Sequence, residues 1–141
     1  MKRCWETLEK NIARVQKMAS ARRMTVFDTL RFNCVNIDPF TETFNMGFYM
    51  QYLARWPQYC HTVVAPSGRI VGYIMGKSEG EGEDWHGHVT AITVAPEFRR
   101  LGTSTILMNQ LEAISEREKG WFVDLFVRPV RFVFALSLSR N

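Results

Sequence analysis

Arg99, Arg100, Leu101, Gly102, Thr103 and Ser104 form a short basic, glycine-containing stretch between two periodic segments. Before it, the β-branched run Ile92-Thr93-Val94 stops at Ala95-Pro96. After it, Thr105 to Ile114 places apolar residues at helical spacing. Strand, turn and helix in that order aim unpaired backbone N–H groups and the positive end of a helix dipole at one point. Gly102 permits close backbone approach, Ser104 is small, and the two arginines add charge. The chemistry this predicts is the holding of a phosphate or pyrophosphate. Neither familiar glycine-rich nucleotide motif is present: the chain has no Gly-x-Gly-x-x-Gly and no Gly-Lys-Ser/Thr.

Other chemistry-bearing residues are scattered. His88 alone reads as a strand histidine facing solvent, and Glu42 as a surface carboxylate in a loop. His86-x-His88 has no third or fourth ligand at sensible spacing, so no metal site is expected. Glu79, Glu81, Glu83 and Asp84 read as a solvated acidic loop. Asp124 reads as structural. Cys4, Cys34 and Cys60 lie far apart, which argues against a disulfide framework or a zinc site and fits a reducing, cytoplasmic setting.

The run Val94-x-Pro96-x-x-Arg99-x-x-Gly102-x-Ser104 resembles the acetyl-CoA motif of the GCN5-related N-acetyltransferases, with Ser104 where glycine or alanine is usual. Further blocks narrow the likeness: Leu30-Arg31-Phe32-Asn33, Asn36-Ile37-Asp38-Pro39, Thr41-Glu42-Thr43-Phe44, Phe48-Tyr49 through Trp56-Pro57, Gly72 to Lys77, Trp85 to Ala91, and Phe122 to Arg128. Together they resemble the catalytic subunits of N-terminal acetyltransferase B (NatB), from about Thr25 to Arg128.

That resemblance implies an α/β fold with a mixed sheet and an enzyme transferring acetyl from acetyl-CoA to N-termini starting Met-Asp, Met-Glu, Met-Asn or Met-Gln. It implies that Ile92 and Val94 bond the pantetheine arm, that the Val94 N–H polarises the thioester, and that residues 99–104 hold the pyrophosphate. It implies that His88 and Thr90 contact the side chain at peptide position two, with His88 also assisting proton removal. Glu42 and Phe44 then meet the peptide backbone and first methionine, Phe44 standing where tyrosine is common. The implied partners are nascent N-termini and a large helical-repeat auxiliary subunit that docks on the ribosome.

Composition bounds these readings. At 141 residues the chain makes one domain. Residues 1–23 hold seven Lys/Arg against two Glu, whereas 24–141 hold eleven basic and twelve acidic residues. The net charge of +4 thus belongs to the head, and the domain is no cationic nucleic-acid binder. No apolar run approaches membrane-spanning length. The expected division is a basic helical extension over 1–23, an acetyltransferase domain over 24–128, and a divergent, strand-like tail over 129–141. The tail's period-two pattern replaces the helix, its thiolate-protonating tyrosine and the closing strands of the family. The alternative expectation is therefore a truncated protein that binds acetyl-CoA or the auxiliary subunit with little or no turnover.

Within the domain, a weak strand is expected over 21–26, helices over 27–36, 48–55 and 105–114, and strands over 60–65, 70–77, 87–94 and 121–127, with a loop over 78–84.

Overall fold

Two amphipathic faces need covering in this chain, and a single sheet between helices covers both. The computed structural model describes residues 19–37 and 41–127. It contains β1 (Ser20–Arg23), α1 (Val26–Thr29), α2 (Met46–Arg55), β2 (His61–Val64), β3 (Ile70–Glu79), β4 (His86–Val94), α3 (Thr103–Arg117) and β5 (Val123–Leu125). The strands lie in chain order across one sheet; the first three pairings are antiparallel and β4–β5 is parallel. That parallel pair requires a crossover, which α3 supplies.

The α3 face of the sheet buries Val63, Ile74, Val89 and Val94 against Leu107, Leu111 and Ile114. The opposite face buries Tyr73 and Met75 against Phe32, Val35, Tyr49 and Tyr52. Both faces of β3 are therefore apolar, as expected of a central strand covered on two sides. Its glycines admit close neighbours: a Cβ on Gly76 would lie 2.6 Å from a Leu111 methyl and 2.7 Å from the His88 carbonyl oxygen.

Helix α2 begins at Asn45, whose side chain accepts from the Phe48 N–H at 2.9 Å, and ends at Trp56 before Pro57. The helix expected over 27–36 is a single turn. Asp28 accepts from the Thr25 N–H at 2.7 Å, but the Thr29 hydroxyl donates to the Val26 carbonyl. Beyond Leu30 the backbone makes i to i+3 turns, Phe32 to Val35 and Asn33 to Asn36. Local polar competition thus ends the helix, and those turns put Phe32 and Val35 into the core.

The sheet also starts earlier than the division at residue 23 implies. Ser20–Arg23 pairs with β2, and Arg22 grips Asp28 through two bonds of 2.7 and 2.8 Å. That bidentate contact, with help from Thr25, holds the Asp28 carboxyl down to about 2 against the opposing effect of burial. The rest of the helical extension, residues 1–18, and the strand-like tail over 129–141 lie outside the described residues. Of the expected 121–127 strand, Val123–Leu125 is regular strand, and Trp121 and Phe122 before it also bond the backbone of Trp85 and Gly87. Helix α3 runs longer than its apolar stripe, from Thr103 to Arg117.

Candidate functional site

A β-bulge divides β4 into two working halves. Opposite the consecutive residues Met75 and Gly76, β4 presents Ala91 and Val89, so Thr90 is an extra residue. Val89 faces α3, so strand alternation puts His88 and Thr90 on the α2 face. Past the bulge, Ile92 and Val94 pack with the α3 core and Ala91 with the other.

The second half carries the expected anion site. The Ala95 N–H donates to the Val71 carbonyl, so the Val94–Gly72 and Ile92–Ile74 pairs are the non-bonded positions of the ladder. The N–H and C=O groups of Ile92 and Val94 therefore point away from β3. Among the described residues, β5 pairs with β4 on that side at Gly87, His88 and Val89, before the bulge. The strand thus presents a backbone edge to which an extended ligand can bond as a neighbouring strand would. One edge group has a protein partner: the Val94 carbonyl accepts from Arg99 Nε at 3.0 Å.

The edge leads straight into the turn. Arg100 (φ 60°) and Gly102 (φ 88°) both adopt the left-handed region, and Gly102 caps α3. Thr103 is buried, its hydroxyl donating to the Phe98 carbonyl at 3.3 Å, which fixes the first turn of the helix. Val94, Phe98, Arg99, Arg100, Thr103 and Ser104 line a hollow of about 220 Å³. Of the residues expected to hold a phosphate, Arg99, Arg100, Thr103 and Ser104 line this one concavity. Positively charged side chains and the N-terminal amides of a fifteen-residue helix converge there.

The first half carries a different chemistry. His88 is not a solvent-facing histidine: it is 7% exposed. Its Nδ1 lies 2.8 Å from Asp124 Oδ1, and the same oxygen lies 3.5 Å from His86 Nε2. Glu79 belongs to this cluster and not to the solvated loop; it pairs with Lys77, and its Oε1 lies 3.8 Å from His88 Nδ1. The remaining acidic residues, Glu81, Glu83 and Asp84, are exposed as expected. His86 stacks on Phe122 with ring centroids 4.5 Å apart, and His88 leans on Phe126 at 5.2 Å. The Thr90 hydroxyl donates to the Tyr52 hydroxyl at 3.0 Å, tying the bulge to α2.

Glu42 is exposed in the loop before α2. Phe44 is half-buried, stacked on Phe48 at 4.2 Å, and its N–H donates to the Tyr49 hydroxyl at 3.3 Å. With Thr43, Met46 and Tyr49, Phe44 lines a second hollow of about 380 Å³ that reaches Phe32 and Asn36. Asp124, Glu79 and Tyr52 were not singled out as site residues in the sequence. Their signal is register: Asp124 faces His88 across a parallel pair, and no local motif encodes that.

Among the described residues no group of three or more His, Cys, Asp or Glu is arranged to hold a metal ion. No described helix is long and apolar enough to cross a membrane.

Comparison with known proteins agrees with this geometry. The model of the acetyltransferase (GNAT) family matches residues 30–129. The N-terminal acetyltransferase B complex catalytic subunit of Arabidopsis thaliana is 60% identical over 112 residues, covering 79% of this chain and 64% of the relative. Its counterpart in Schizosaccharomyces pombe is 51% identical over 115 residues, covering 79% and 63%. The chain thus spans a little under two thirds of the length of these relatives. Among solved structures, a Chaetomium thermophilum homologue in complex with a bisubstrate analogue superposes with a TM-score of 0.74 at 44% identity, over 78% of this chain and 63% of that one. A NatB complex bound to CoA and MES gives 0.72 at 41% identity, over 78% and 73%. With the strand, turn and helix of the anion site inside the matched segment, this chain belongs to the GNAT acetyltransferase family.

Proposed function

We propose that this chain is a NatB-type catalytic subunit, transferring acetyl from acetyl-CoA to protein N-termini that begin Met-Asp, Met-Glu, Met-Asn or Met-Gln. The observation that carries the reading is the division of β4. One strand offers a backbone edge running into an anion hollow and, across a bulge, a pair of side chains suited to reading a peptide.

In this reading residues 99–104 hold the pyrophosphate, and the Ile92 and Val94 edge holds the pantetheine arm. The Val94 N–H faces the acetyl carbonyl and stabilises the oxyanion as the amine attacks; one such donor is worth about 3–4 kcal/mol. The amine nitrogen bonds to the thioester carbon, the carbon–sulfur bond breaks, the amine gives up a proton and the CoA thiolate takes one. An α-amino group has a pKa near 8, so on the order of a tenth is already neutral at physiological pH. His88 and Thr90 read the side chain at position two, His88 also serving proton removal, while Glu42 and Phe44 meet the peptide's first residue. Val26, Phe27 and Leu30 are exposed apolar residues side by side on and beside α1. They suit the face that a large helical auxiliary subunit covers while it brings the enzyme to nascent chains on the cytoplasmic ribosome.

The test uses the full chain with its auxiliary subunit and acetyl-CoA. Peptides starting Met-Asp are expected to exceed those starting Ser or Ala by at least about tenfold in kcat/KM, the scale of one hydrogen bond to a charged group. Equal rates would overturn the assignment.

A further inference from the structure

From the cluster on the α2 face of β3, β4 and β5, we infer that Asp124 is a positioning residue that sets which ring nitrogen of His88 faces the peptide and lets that one imidazole accept both acidic and amide side chains at position two. The inference rests on the peptide reading above and deepens it.

An ionised carboxylate has no proton to give, so the 2.8 Å contact from His88 Nδ1 to Asp124 Oδ1 requires the proton to sit on Nδ1. The other ring nitrogen, Nε2, is then left for any incoming group. With a neutral ring, Nε2 accepts, which suits the amide NH₂ of Asn or Gln. With a second proton, Nε2–H donates, which suits the carboxylate of Asp or Glu, and the ring's positive charge lies directly against Asp124. A carboxylate behind an imidazole therefore keeps its orientation fixed while both protonation states remain usable.

The charged and titratable surroundings decide how firmly this holds. From β3, Lys77 pairs with Glu79, and Glu79 Oε1 stands 3.8 Å from His88 Nδ1. From β4, His86 approaches Asp124 Oδ1 at 3.5 Å. The other His86 nitrogen, Nδ1, lies 2.5 Å from the Asp84 carbonyl, so that nitrogen carries the proton and Nε2 is unprotonated in the neutral ring. From α2, Tyr52 is engaged with Thr90. Asp124 is therefore the nearest acceptor to His88, and Glu79, with Lys77 beside it, is the more distant one. Phe126, just past β5, leans on the ring at 5.2 Å.

The experiment compares wild type with Asp124→Asn, each as the full chain with its auxiliary subunit, on two peptides that differ only in Met-Asp against Met-Asn. Asparagine keeps the size but can donate to Nδ1, moving the ring proton to Nε2, which then donates and can no longer accept from an amide NH₂. The ratio of kcat/KM for Met-Asp over Met-Asn is expected to rise about tenfold, mostly through KM, with acetyl-CoA affinity unchanged. In parallel, the ring ¹⁵N shifts of His88 are expected to change from the Nδ1–H pattern. An unchanged ratio, or equal loss on both peptides with weaker acetyl-CoA binding, would overturn the inference and leave Asp124 as a strand support. Unmoved ¹⁵N shifts would overturn it whatever the activity. Wild type inert on both peptides, with the shifts moved, would instead sink the peptide reading and leave Asp124 as the group that places the His88 proton.

Discussion

The two halves of β4 solve different problems with different kinds of information. Beyond the bulge, the anion hollow is built from residues 94–104, contiguous in the chain, and its shape follows from a strand end, two left-handed residues and a helix start. Before the bulge, His88 depends on Asp124 and Thr90 on Tyr52, partners 36 and 38 residues away. The first half is therefore a local device carried on backbone groups. The second is a tertiary device carried on side chains, and its geometry exists only once β3, β5 and α2 are in place. Substitutions should separate the two.

The largest separation is expected at Gly102. Its φ of 88° disfavours any side chain, at about 1–2 kcal/mol, and a branched residue would also obstruct the backbone approach to a phosphate. Gly102→Val should lower acetyl-CoA affinity more than 100-fold in calorimetry while the melting temperature falls only a few degrees. Retained affinity would mean that the hollow is not the anion site.

On the other side of the bulge, His88→Ala should reduce kcat/KM for Met-Asp peptides by roughly 10- to 100-fold, the equivalent of about 1–3 kcal/mol for a lost hydrogen bond to a buried group. Acetyl-CoA binding should stay within about twofold. Parallel losses would show that the halves are mechanically one unit and that the bulge does not insulate them.

What could be read from the sequence follows the same divide. Residues 99–104 were legible because their signals, a strand end, a proline, a glycine and an amphipathic helix, lie side by side. The same local reasoning expected a helix over 48–55 stopped by Trp56-Pro57, and α2 runs over Met46–Arg55. It failed for 27–36, where the Thr29 hydroxyl bonds the Val26 carbonyl and the backbone goes on in single turns at Phe32 and Asn33. It failed again for His88, which meets Asp124 of β5 and, just beyond that strand, Phe126. Glu79 looked like one member of an acidic loop because its sequence neighbours are exposed; its pairing opposite His86 is a matter of register.

Gly76 joins the halves from behind, since a Cβ there would strike both the Leu111 methyl and the His88 carbonyl oxygen. Gly76→Ala is expected to destabilise the fold by about 1–3 kcal/mol, as overpacking does. It should weaken peptide turnover before it weakens acetyl-CoA binding, because the clash lies on the His88 side of the bulge. Thermal unfolding and the two affinities measured together check this.

The smallest effect concerns pH, and it serves to keep stability apart from chemistry. His61 on β2 is 7% exposed and its Nδ1 has no hydrogen-bond partner. Burial, and then the charge of Arg23, push its pKa below the ordinary 6.5. Between that lowered value and 6.5 the unfolded chain binds a proton that the folded chain does not, so stability is fully present above about 6.5 and declines as the pH falls through that window. The slope cannot exceed about 1.4 kcal/mol per pH unit for one group. Asp28 acts in a lower window: its carboxyl is held at about 2 against 3.8, so its contribution is present above 3.8 and is lost as the pH drops towards 2. His61→Leu should therefore flatten the fall in unfolding free energy just below pH 6.5 and leave the loss below pH 4 intact. An unaltered slope in the upper window would place the titrating group elsewhere. With the slope removed, any fall in Met-Asp turnover that persists in His61→Leu between pH 7 and 6 belongs to the reaction itself and not to unfolding of the sheet that carries it.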